Sequence, residues 1–447
     1  MPRTLIADLH TKIGEKARIG GWVSVRRDQG KMVFFDFRDR TGSVQGVVLP
    51  SEELAIAVAK EVRAEYVVYA EGTVNARPPK NINPDVLNGN LELQVESLEI
   101  VSKAEIPFEL GAEVNLDTYL DHHPYTLRNE RSKEIFKLQE TIIGAFRASL
   151  KTQDFTEFQA PAIVGGDAEG GAAAFEVEYH YEQKAYLATS PQFYKQIMVG
   201  VYERAFATPK VFRGEKHATP RHLNEYSSMD FEMGFINDHR DVMQVLENAV
   251  GAIFLAASEK HAVTLQKFNP DGLPLLPEKI PTLKLREAQE LLEKEFGQHC
   301  VGEPDLEPEH EKRLCEWAKR EHQSDFVFVT HYPVSKRPFY TYEDEADPGF
   351  TKSFDLLFRG LEITTGGQRI HNYELLVEKI KAKGLDPNKF FFYLEAFKVG
   401  MPPHGGSATG LERITARMLN LPNVKEATLF PRDLNRIDTL LSTDKKE

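Results

Sequence analysis

The sequence predicts an α+β protein in which a small β-barrel comes first and a larger domain of strands and helices follows. Residues 17–101 read as five short strands with one helix after the third. From Ser132 onward, apolar residues recur at helical spacing, and apolar runs such as FVFVTHYP indicate further strands. A chain of 447 residues with 41% hydrophobic content is long enough for two or three packed domains.

Cysteine usage and charge exclude several classes of protein. Cys300 and Cys315 are the only cysteines and stand in no metal-ligand spacing, which argues against a disulfide framework and against a zinc site. The first residues contain no apolar signal region and no run approaches a membrane span, so we expect a cytoplasmic location. The net charge of −13 argues against a basic coat for nucleic acid. Residues 1–103 are roughly charge-balanced, however, so RNA would meet the least repulsion there.

The five predicted strands fit an OB-fold barrel, a common oligonucleotide-binding module. Arg26, Arg27 and Lys31 stand beside Phe34 and Phe35, which combines cations for backbone phosphates with aromatic rings for unstacked bases. If this strand alternates, one of the two phenylalanines faces the core and only the other can stack on a base. A small barrel with no role in nucleic-acid binding stays open as the alternative.

A predicted hairpin over residues 210–235 carries groups that suit a polyphosphate and a purine. Arg213 and Arg221 in its loop offer planar guanidinium groups that match phosphate oxygens. His222 adds a potential donor, Glu215 could accept from an exocyclic amine, and Tyr226 presents an aromatic face to a base. Each residue alone is ordinary in a solvated loop, but the combination indicates a nucleotide site.

This hairpin resembles motif 2 of the class II aminoacyl-tRNA synthetases. Phe-Arg-x-Glu is followed by a loop and by Arg-His-Leu-Asn-Glu-Tyr, a sequence similar to that of the aspartyl enzymes. Residues 132–166 resemble motif 1, which forms the dimer interface in that family, and GMPPHGGSATGLERITARML resembles motif 3. The resemblance implies an anticodon-binding barrel over 1–103, a hinge over 104–131 and a catalytic domain over 132–447. That domain is expected to be an antiparallel sheet flanked by helices in a homodimer.

The resemblance also implies an ATP site in which Arg213 and Arg413 are catalytic. Arg213 would hold the α-phosphate, and His222 with Arg413 would secure the γ-phosphate. The expected ATP-binding residues are Arg213, Glu215, Arg221, His222, Leu223, Tyr226, Glu362 and Arg413. The chain departs from the family where Ser407-Ala408-Thr409 replaces Phe-Gly-Leu in motif 3, and Ala408 is expected to narrow the room for the nucleotide.

Asp355 and Glu362 lie seven residues apart in a region of apolar strands. Two carboxylates beside a phosphate site are a reasonable pair for a hard cation, although local ion pairs at strand ends would account for them equally well. By resemblance, Asp355 and Glu362 hold Mg²⁺ with the help of Thr365. The charged helical region that ends near Glu321 shows no recognisable chemistry.

An aspartate site is also implied by the resemblance. Lys195 of Ser-Pro-Gln-x-x-Lys would meet the side-chain carboxylate, and Arg369 of Gly-Gly-Gln-Arg would grip the substrate. A buried ammonium favours an anionic side chain and would be left unpaired by the neutral amide. Glu169, in a glycine-rich segment that could equally be a plain surface loop, and Asp230 are assigned to the substrate ammonium. The full expected set is Glu169, Gln192, Lys195, Arg213, Asp230, Thr365 and Arg369.

The prediction from the sequence is therefore an aspartate–tRNA ligase of the archaeal and eukaryotic type, because the chain leaves little room for the extra bacterial domain between motifs 2 and 3. Arg27, Phe34 and Gln45 match family positions that contact the anticodon. By resemblance, Ser24 stands where enzymes that charge only tRNA(Asp) tend to carry a bulky aromatic residue, and residues 77–80 occupy a loop that contributes to the same discrimination. We therefore expect that tRNA(Asn) is charged as well as tRNA(Asp). An asparagine-synthetase-like amide ligase, an asparaginyl-tRNA synthetase and a non-catalytic RNA-binding paralogue stay open as alternatives.

Overall fold

The structure is a computed structural model that describes residues 1–84, 86–166, 173–216 and 219–438. The chain divides into two units, Met1–Glu113 and Val114–Glu447. Among the described residues, no helix combines the length and the apolar character that crossing a membrane requires.

Five strands form the core of the first unit: β1 (Lys16–Gln29), β2 (Met32–Asp39), β3 (Gly42–Val48), β4 (Val67–Ala76) and β5 (Leu91–Ser102). They close into a barrel in the order β1-β2-β3-β5-β4, with helix α1 (Glu53–Glu61) between β3 and β4. The predicted barrel is confirmed. Burial alternates along β2, so Phe35 lies fully inside the core whereas Phe34 stays half-buried. Short 3₁₀ helices cover Ile6–Lys12 and Pro79–Asn81.

The second unit contains a large sheet whose strands are β6 (Thr156–Glu157), β10 (Arg204–Ala207), β11 (Lys210–Phe212), β12 (Glu225–Gly234), β13 (Thr282–Lys284), β14 (Phe326–Thr330), β15 (Ser353–Phe358), β16 (Leu361–Arg369) and β17 (His404–Gly410). Eight of them follow the order β13-β14-β15-β16-β17-β12-β10-β6, and β11 pairs with β12. The pairs β13–β14 and β10–β6 are parallel and the other neighbours are antiparallel, which confirms the expected type of sheet. A smaller sheet has the order β7-β9-β8, formed by β7 (Ile163–Val164), β8 (Glu176–Glu178) and β9 (Lys184–Leu187).

Helices flank this sheet: α2 (Leu116–Asp121), α3 (His123–Thr126), α4 (Glu130–Thr152), α5 (Gln192–Tyr202), α6 (His239–Phe268), α7 (Leu285–Phe296), α8 (Pro308–His322), α9 (Tyr373–Ala382), α10 (Phe391–Lys398) and α11 (Leu411–Met418). Further 3₁₀ helices span His180–Glu182, Pro387–Phe390 and Val424–Ala427. Helix α4 starts at the Asn129 cap, and its buried Ile135, Leu138, Ile142 and Phe146 recur at the three- and four-residue spacing of one helix face. These side chains join the core that contains Phe206 of β10 and Phe231 of β12.

Two segments contain mostly short elements. Residues 104–131, which the resemblance assigns to a hinge, contain the short helices α2 and α3 and the first residues of α4. The segment FTEFQAPAIVGG, at the end of the stretch that resembles motif 1, forms the separate two-residue strands β6 and β7 in different sheets.

The order of the large sheet brings distant parts of the sequence together. Strand β17 lies between β12 and β16, so Asp230, Ala408 and Thr365 stand side by side in register. Gly406 permits this close approach, because a Cβ at that position would lie 2.1 Å from the Phe231 carbonyl oxygen and 2.2 Å from the Glu232 carboxylate. The glycine-rich sequence of β17 is therefore required by the packing beneath the site.

Candidate active site

A cavity of about 340 Å³ lies where the β11–β12 hairpin, β16, the start of α5 and the start of α11 meet. It gathers most of the residues that the sequence predicted for ATP and aspartate: Gln192, Lys195, Arg213, Glu215, Arg221, His222, Leu223, Tyr226, Glu362, Thr365, Arg369 and Arg413. Ala408 of β17 also lines it, as do Lys336 and Arg337, which the sequence interpretation did not include. Glu169 lies outside the described residues.

The hairpin fixes Arg213 against an aromatic ring on one wall of the cavity. The backbone N–H of Arg213 donates to the Asn224 carbonyl (2.8 Å), and the Asn224 side-chain amide donates back to the Arg213 carbonyl (2.6 Å). The Arg213 guanidinium carbon lies 5.6 Å from the centre of the Tyr226 ring, within the range of a cation–π interaction. A cation for phosphate and a flat face for a base therefore converge on the same wall.

Four residues at one end of this cavity also line a second cavity of about 480 Å³: Arg221, His222, Glu362 and Arg413. Arg413 of α11 donates from Nη1 to the Glu362 carbonyl (2.8 Å) and lies 3.6 Å from the Glu362 carboxylate. The Thr219 hydroxyl lies 2.6 Å from His222 Nδ1. Two guanidinium groups and an imidazole thus meet at the junction, which suits the distal phosphates of a nucleotide.

Asp355 and Glu362 both line the second cavity. One oxygen of Asp355 accepts from Arg337 Nη2 (2.8 Å), whereas its buried Oδ1 has no hydrogen-bond partner among the described residues. Burial raises the pKa of Asp355, and repulsion from Glu362 adds to this against the pull of Arg337. Burial opposes ionisation of Glu362 as well, but Arg413 and a hydrogen bond from Thr365 (3.0 Å) outweigh it and lower its pKa.

This donor set fits a divalent cation. An unsatisfied carboxylate oxygen beside a second carboxylate is stabilised by a bound positive charge. The described residues contain no group of three or more His, Cys, Asp or Glu side chains that could hold a metal. The other ligands would therefore come from Thr365, water or phosphate, as is usual for Mg²⁺.

At the opposite end, two cations are buried against two carboxylates. Lys195 has 0% exposure, and its Nζ donates to Asp230 Oδ2 (2.9 Å) and to the Ser407 carbonyl (3.1 Å). Arg369 donates from Nε to Glu232 (2.9 Å) and from Nη2 to the Gly406 carbonyl (2.9 Å). Burial opposes ionisation of Glu232, but Arg369 and Lys195 outweigh it and lower its pKa. Both cations are therefore held by buried carboxylates and backbone carbonyls while still lining the cavity.

Asp230 occupies a different place from the one that the sequence interpretation gives it. It is fully buried behind the cavity wall, where it accepts from Lys195 and from the Ser228 hydroxyl, instead of facing a substrate ammonium. Glu232, the partner of Arg369, was missed. Its signal was present in the sequence, because Ser228, Asp230 and Glu232 alternate along β12 and therefore share one face.

Gln192 Nε2 is buried without a partner among the described residues, so it is available to donate to a ligand.

Glu311 was missed because it lies in the charged helical region where the sequence showed no chemistry. It is buried in α8, and its carboxylate accepts from the Arg221 guanidinium and from the backbone N–H of Glu362 (3.1 Å). Burial raises the pKa of Glu311 to about 7, even though Arg221 pulls it down. Many glutamates share this helix, so no pattern in the sequence distinguished this one.

The barrel brings Arg27, Phe34 and Gln45 to one face. Arg27 pairs with Phe34 across β1 and β2, and Asp36, two residues after Phe34, pairs with Gln45 across β2 and β3. The Arg27 guanidinium donates twice to Asp36 (2.9 Å each), and the Gln45 amide donates to Glu92 (3.3 Å). The cation and the amide of this face are therefore already oriented by acidic neighbours.

Ser24 lies at a bulge in β1, between Val23 and Val25. Its hydroxyl accepts from Arg38 (3.1 Å), and Arg38 also donates twice to Glu65 (2.6 and 2.7 Å). The small side chain of Ser24 therefore gives the Arg38 guanidinium room to lie beside the bulge.

Comparison with known proteins identifies the class that this fold and site define. The family described as tRNA synthetases class II (D, K and N) matches residues 115–434, and the OB-fold nucleic acid binding domain matches residues 17–101. The chain belongs to the class II tRNA synthetases of this D, K and N family, whose members use ATP as a substrate. The family predicted from the sequence is thus confirmed.

Individual relatives cover nearly the whole chain. The aspartate–tRNA(Asp/Asn) ligase of Thermus thermophilus is 46% identical, over 97% of this chain and 99% of its own. The aspartate–tRNA(Asp) ligase of Pyrococcus furiosus is 36% identical over 95% and 96%. Among solved structures, asparaginyl-tRNA synthetase from Pyrococcus horikoshii complexed with asparaginyl-adenylate superposes with a TM-score of 0.89 at 30% identity, covering 98% of this chain and 99% of that one. A putative aspartyl-tRNA synthetase from Leishmania major also gives 0.89 at 30% identity, over 97% and 94%.

Proposed function

We propose that the protein is an aspartate–tRNA ligase that activates L-aspartate with ATP and charges both tRNA(Asp) and tRNA(Asn). The observation that carries this proposal is the buried pair Lys195 and Arg369, each held by its own carboxylate at one end of the nucleotide cavity. The relatives that are aspartate–tRNA ligases support it.

The amino-acid end of the cavity favours a dicarboxylic substrate. Lys195 and Arg369 are buried, and in such a low-dielectric environment a further anionic side chain interacts with them more strongly than it would in water. A neutral amide of the same shape supplies no charge and presents its NH₂ group to cations that only donate. This difference supports aspartate over asparagine, and it argues against the asparaginyl alternative.

In the first step, an oxygen of the aspartate α-carboxylate attacks the α-phosphorus of ATP, and pyrophosphate leaves. Arg213 neutralises charge at the α-phosphate, while Arg413 and His222 hold the distal phosphates at the junction of the two cavities. Asp355 and Glu362, with Thr365, would hold Mg²⁺, which would supply further positive charge to the phosphates. The protein contributes mainly positioning and charge neutralisation.

In the second step, a terminal ribose hydroxyl of the tRNA attacks the activated carbonyl, and AMP leaves. The hydroxyl proton can pass to a phosphate oxygen of the leaving AMP, so no side chain is assigned as a base. Stacking of an anticodon base on Phe34, with Arg27 and Gln45 beside it, is the proposed contact in the barrel.

The decisive experiment separates amino acid from tRNA. Aspartate-dependent exchange of pyrophosphate into ATP should be readily measured and asparagine-dependent exchange should be at background; the reverse would overturn the proposal. Purified tRNA(Asp) and tRNA(Asn) should then each be charged with labelled aspartate. Negligible charging of tRNA(Asn) would restrict the enzyme to tRNA(Asp).

The resemblance of α4 and the following strands to motif 1 supports a homodimer. Size-exclusion chromatography with light scattering should then give twice the mass of one chain, and a single-chain mass would contradict it.

A further inference from the structure

Glu311 touches two parts of the active site from behind. Its carboxylate accepts from the guanidinium of Arg221, in the loop between β11 and β12, and from the backbone N–H of Glu362 on β16 (3.1 Å). Glu311 is 8% exposed, and Arg221 lines both cavities. One buried carboxylate therefore ties a loop arginine to the strand that carries a cation-binding residue.

The surroundings of Arg221 show why such a tie is needed. Arg413 lines the same two cavities. Burial lowers the pKa of the nearby Arg417 guanidinium, and repulsion from Arg221 adds to this. Like charges repel, so a guanidinium in this position is drawn toward solvent unless an anion holds it. Glu311 supplies this anion on the side away from the first cavity.

In the part of this loop that the structure describes, the other contacts near Arg221 are made by the backbone and by Thr219. The Arg221 backbone N–H donates to the Thr219 hydroxyl (3.3 Å), which is itself part of the loop. The Pro220 carbonyl accepts from the backbone N–H of Val424 (3.0 Å). These contacts fix the backbone, whereas the long side chain of Arg221 gains its orientation from Glu311.

We infer that Glu311 is a positioning residue, which holds Arg221 over the polyphosphate end of the ATP site and couples it to β16. The inference rests on the proposed use of ATP and adds a residue from the helical region between motifs 2 and 3. Glu311 lines the second cavity but not the first, and its proposed action is on Arg221. It acts by keeping the guanidinium ordered before ATP arrives, so that less freedom is lost on binding.

The test measures ATP binding in the absence of amino acid, by calorimetry, together with the KM values for ATP and aspartate. Glu311→Ala should weaken ATP binding about tenfold and raise the KM for ATP by a similar factor, while the KM for aspartate changes less than about twofold. Glu311→Gln keeps an acceptor for the backbone N–H of Glu362, and its affinity for ATP should lie between those of the wild type and Glu311→Ala. Glu309→Ala is the matched control, because Glu309 lies in the same helix and pairs only with Arg313 at the surface (2.9 Å) among the contacts described.

A double-mutant cycle tests the route through Arg221. Once Arg221→Ala is present, adding Glu311→Ala should weaken ATP binding by less than about twofold, because residues that act through one contact are not additive. Fully additive effects, unchanged ATP binding in Glu311→Ala, or tighter binding would each overturn the inference. If Glu311→Ala does not fold, judged by its melting curve, the same cycle with Glu311→Gln decides.

The outcomes separate this inference from the proposed function. If the wild-type protein binds ATP but shows no exchange with aspartate, the proposed amino acid is wrong while the ATP-binding cycle still tests Glu311. If the wild-type protein binds no ATP at all, both fail.

Discussion

Replacing Lys195 by methionine tests the origin of amino-acid specificity. Methionine has a similar length and an apolar tip, so the change removes the positive charge with little loss of volume. In the structure, Lys195 Nζ lies 2.9 Å from Asp230 and 3.4 Å from Glu232, and all three groups are buried. The variant therefore removes the cation that pairs with Asp230, while Glu232 keeps Arg369.

Two free energies follow from this geometry. Removing one partner of a buried ion pair costs about 3–5 kcal/mol of folding stability, so the melting temperature should fall. A hydrogen bond to a charged group contributes about 1.5–3 kcal/mol to binding, which corresponds to about a 10- to 150-fold rise in the KM for aspartate. The nucleotide contacts lie at the other end of the cavity, so the KM for ATP should change less than about threefold.

The assay is pyrophosphate exchange with aspartate varied at saturating ATP, and then with ATP varied at saturating aspartate. Lys184→Met is the matched control, because Lys184 is 67% exposed and pairs with Glu176 on the surface. The double variant Lys195→Met with Asp230→Asn should regain part of the lost melting temperature without regaining affinity for aspartate, because it removes the unpaired charge but restores no cation.

An equal rise in both KM values would refute the reasoning, since it would show that the cavity had been disturbed as a whole. An unchanged KM for aspartate would refute it more directly. In that case Lys195 would serve the fold and not the choice of substrate.

Three other changes test separate parts of the structure. Arg213→Ala should remove about 2–4 kcal/mol of transition-state stabilisation, which lowers the rate of pyrophosphate exchange roughly 30- to 1,000-fold. A near-normal exchange rate would show that the role assigned to Arg213 is wrong. Asp355→Asn should raise the Mg²⁺ concentration for half-maximal exchange at least about tenfold, and an unchanged Mg²⁺ titration would remove Asp355 from the cation site. Burial lowers the pKa of His239 from 6.5 to about 4. As the pH falls from 6.5 towards 4, the unfolded chain therefore binds a proton at this imidazole before the folded chain does. The free energy of unfolding then decreases by up to about 1.4 kcal/mol per pH unit. His239→Phe should therefore show a smaller drop in melting temperature between pH 7 and 5 than the wild type, and an equal drop would contradict a neutral buried imidazole.

Strands in the barrel could be predicted because they are short apolar runs bounded by turn residues. Residues 32–39 alternate between half-buried and buried side chains, and the sequence alternates in the same way over residues 35–38. Helices α2 and α3 have six and four residues, too few to show a 3.6-residue period. Strands β6 and β7 have two residues each, so their existence depends on partners elsewhere in the chain.

The candidate site likewise contains residues that the sequence could predict and residues that it could not. The shared cavity lining of Arg213, Glu215, Arg221 and Tyr226 could be predicted because these residues lie within one hairpin. The partners that hold the cations could not, since Glu232 is 137 residues from Arg369 and Glu311 is 90 residues from Arg221. Only the folded sheet and helix packing bring those carboxylates and guanidinium groups together.

The position of β17 has a consequence for the order in which the enzyme is built. This strand occurs late in the sequence, yet it fills the gap between β12 and β16 in the middle of the sheet. A nascent chain that has not yet delivered residues 404–410 would present two unpaired strand edges, which are templates for aggregation. Completion of the sheet therefore awaits the synthesis of residues 404–410, and we expect chaperone demand to be greatest just before they emerge.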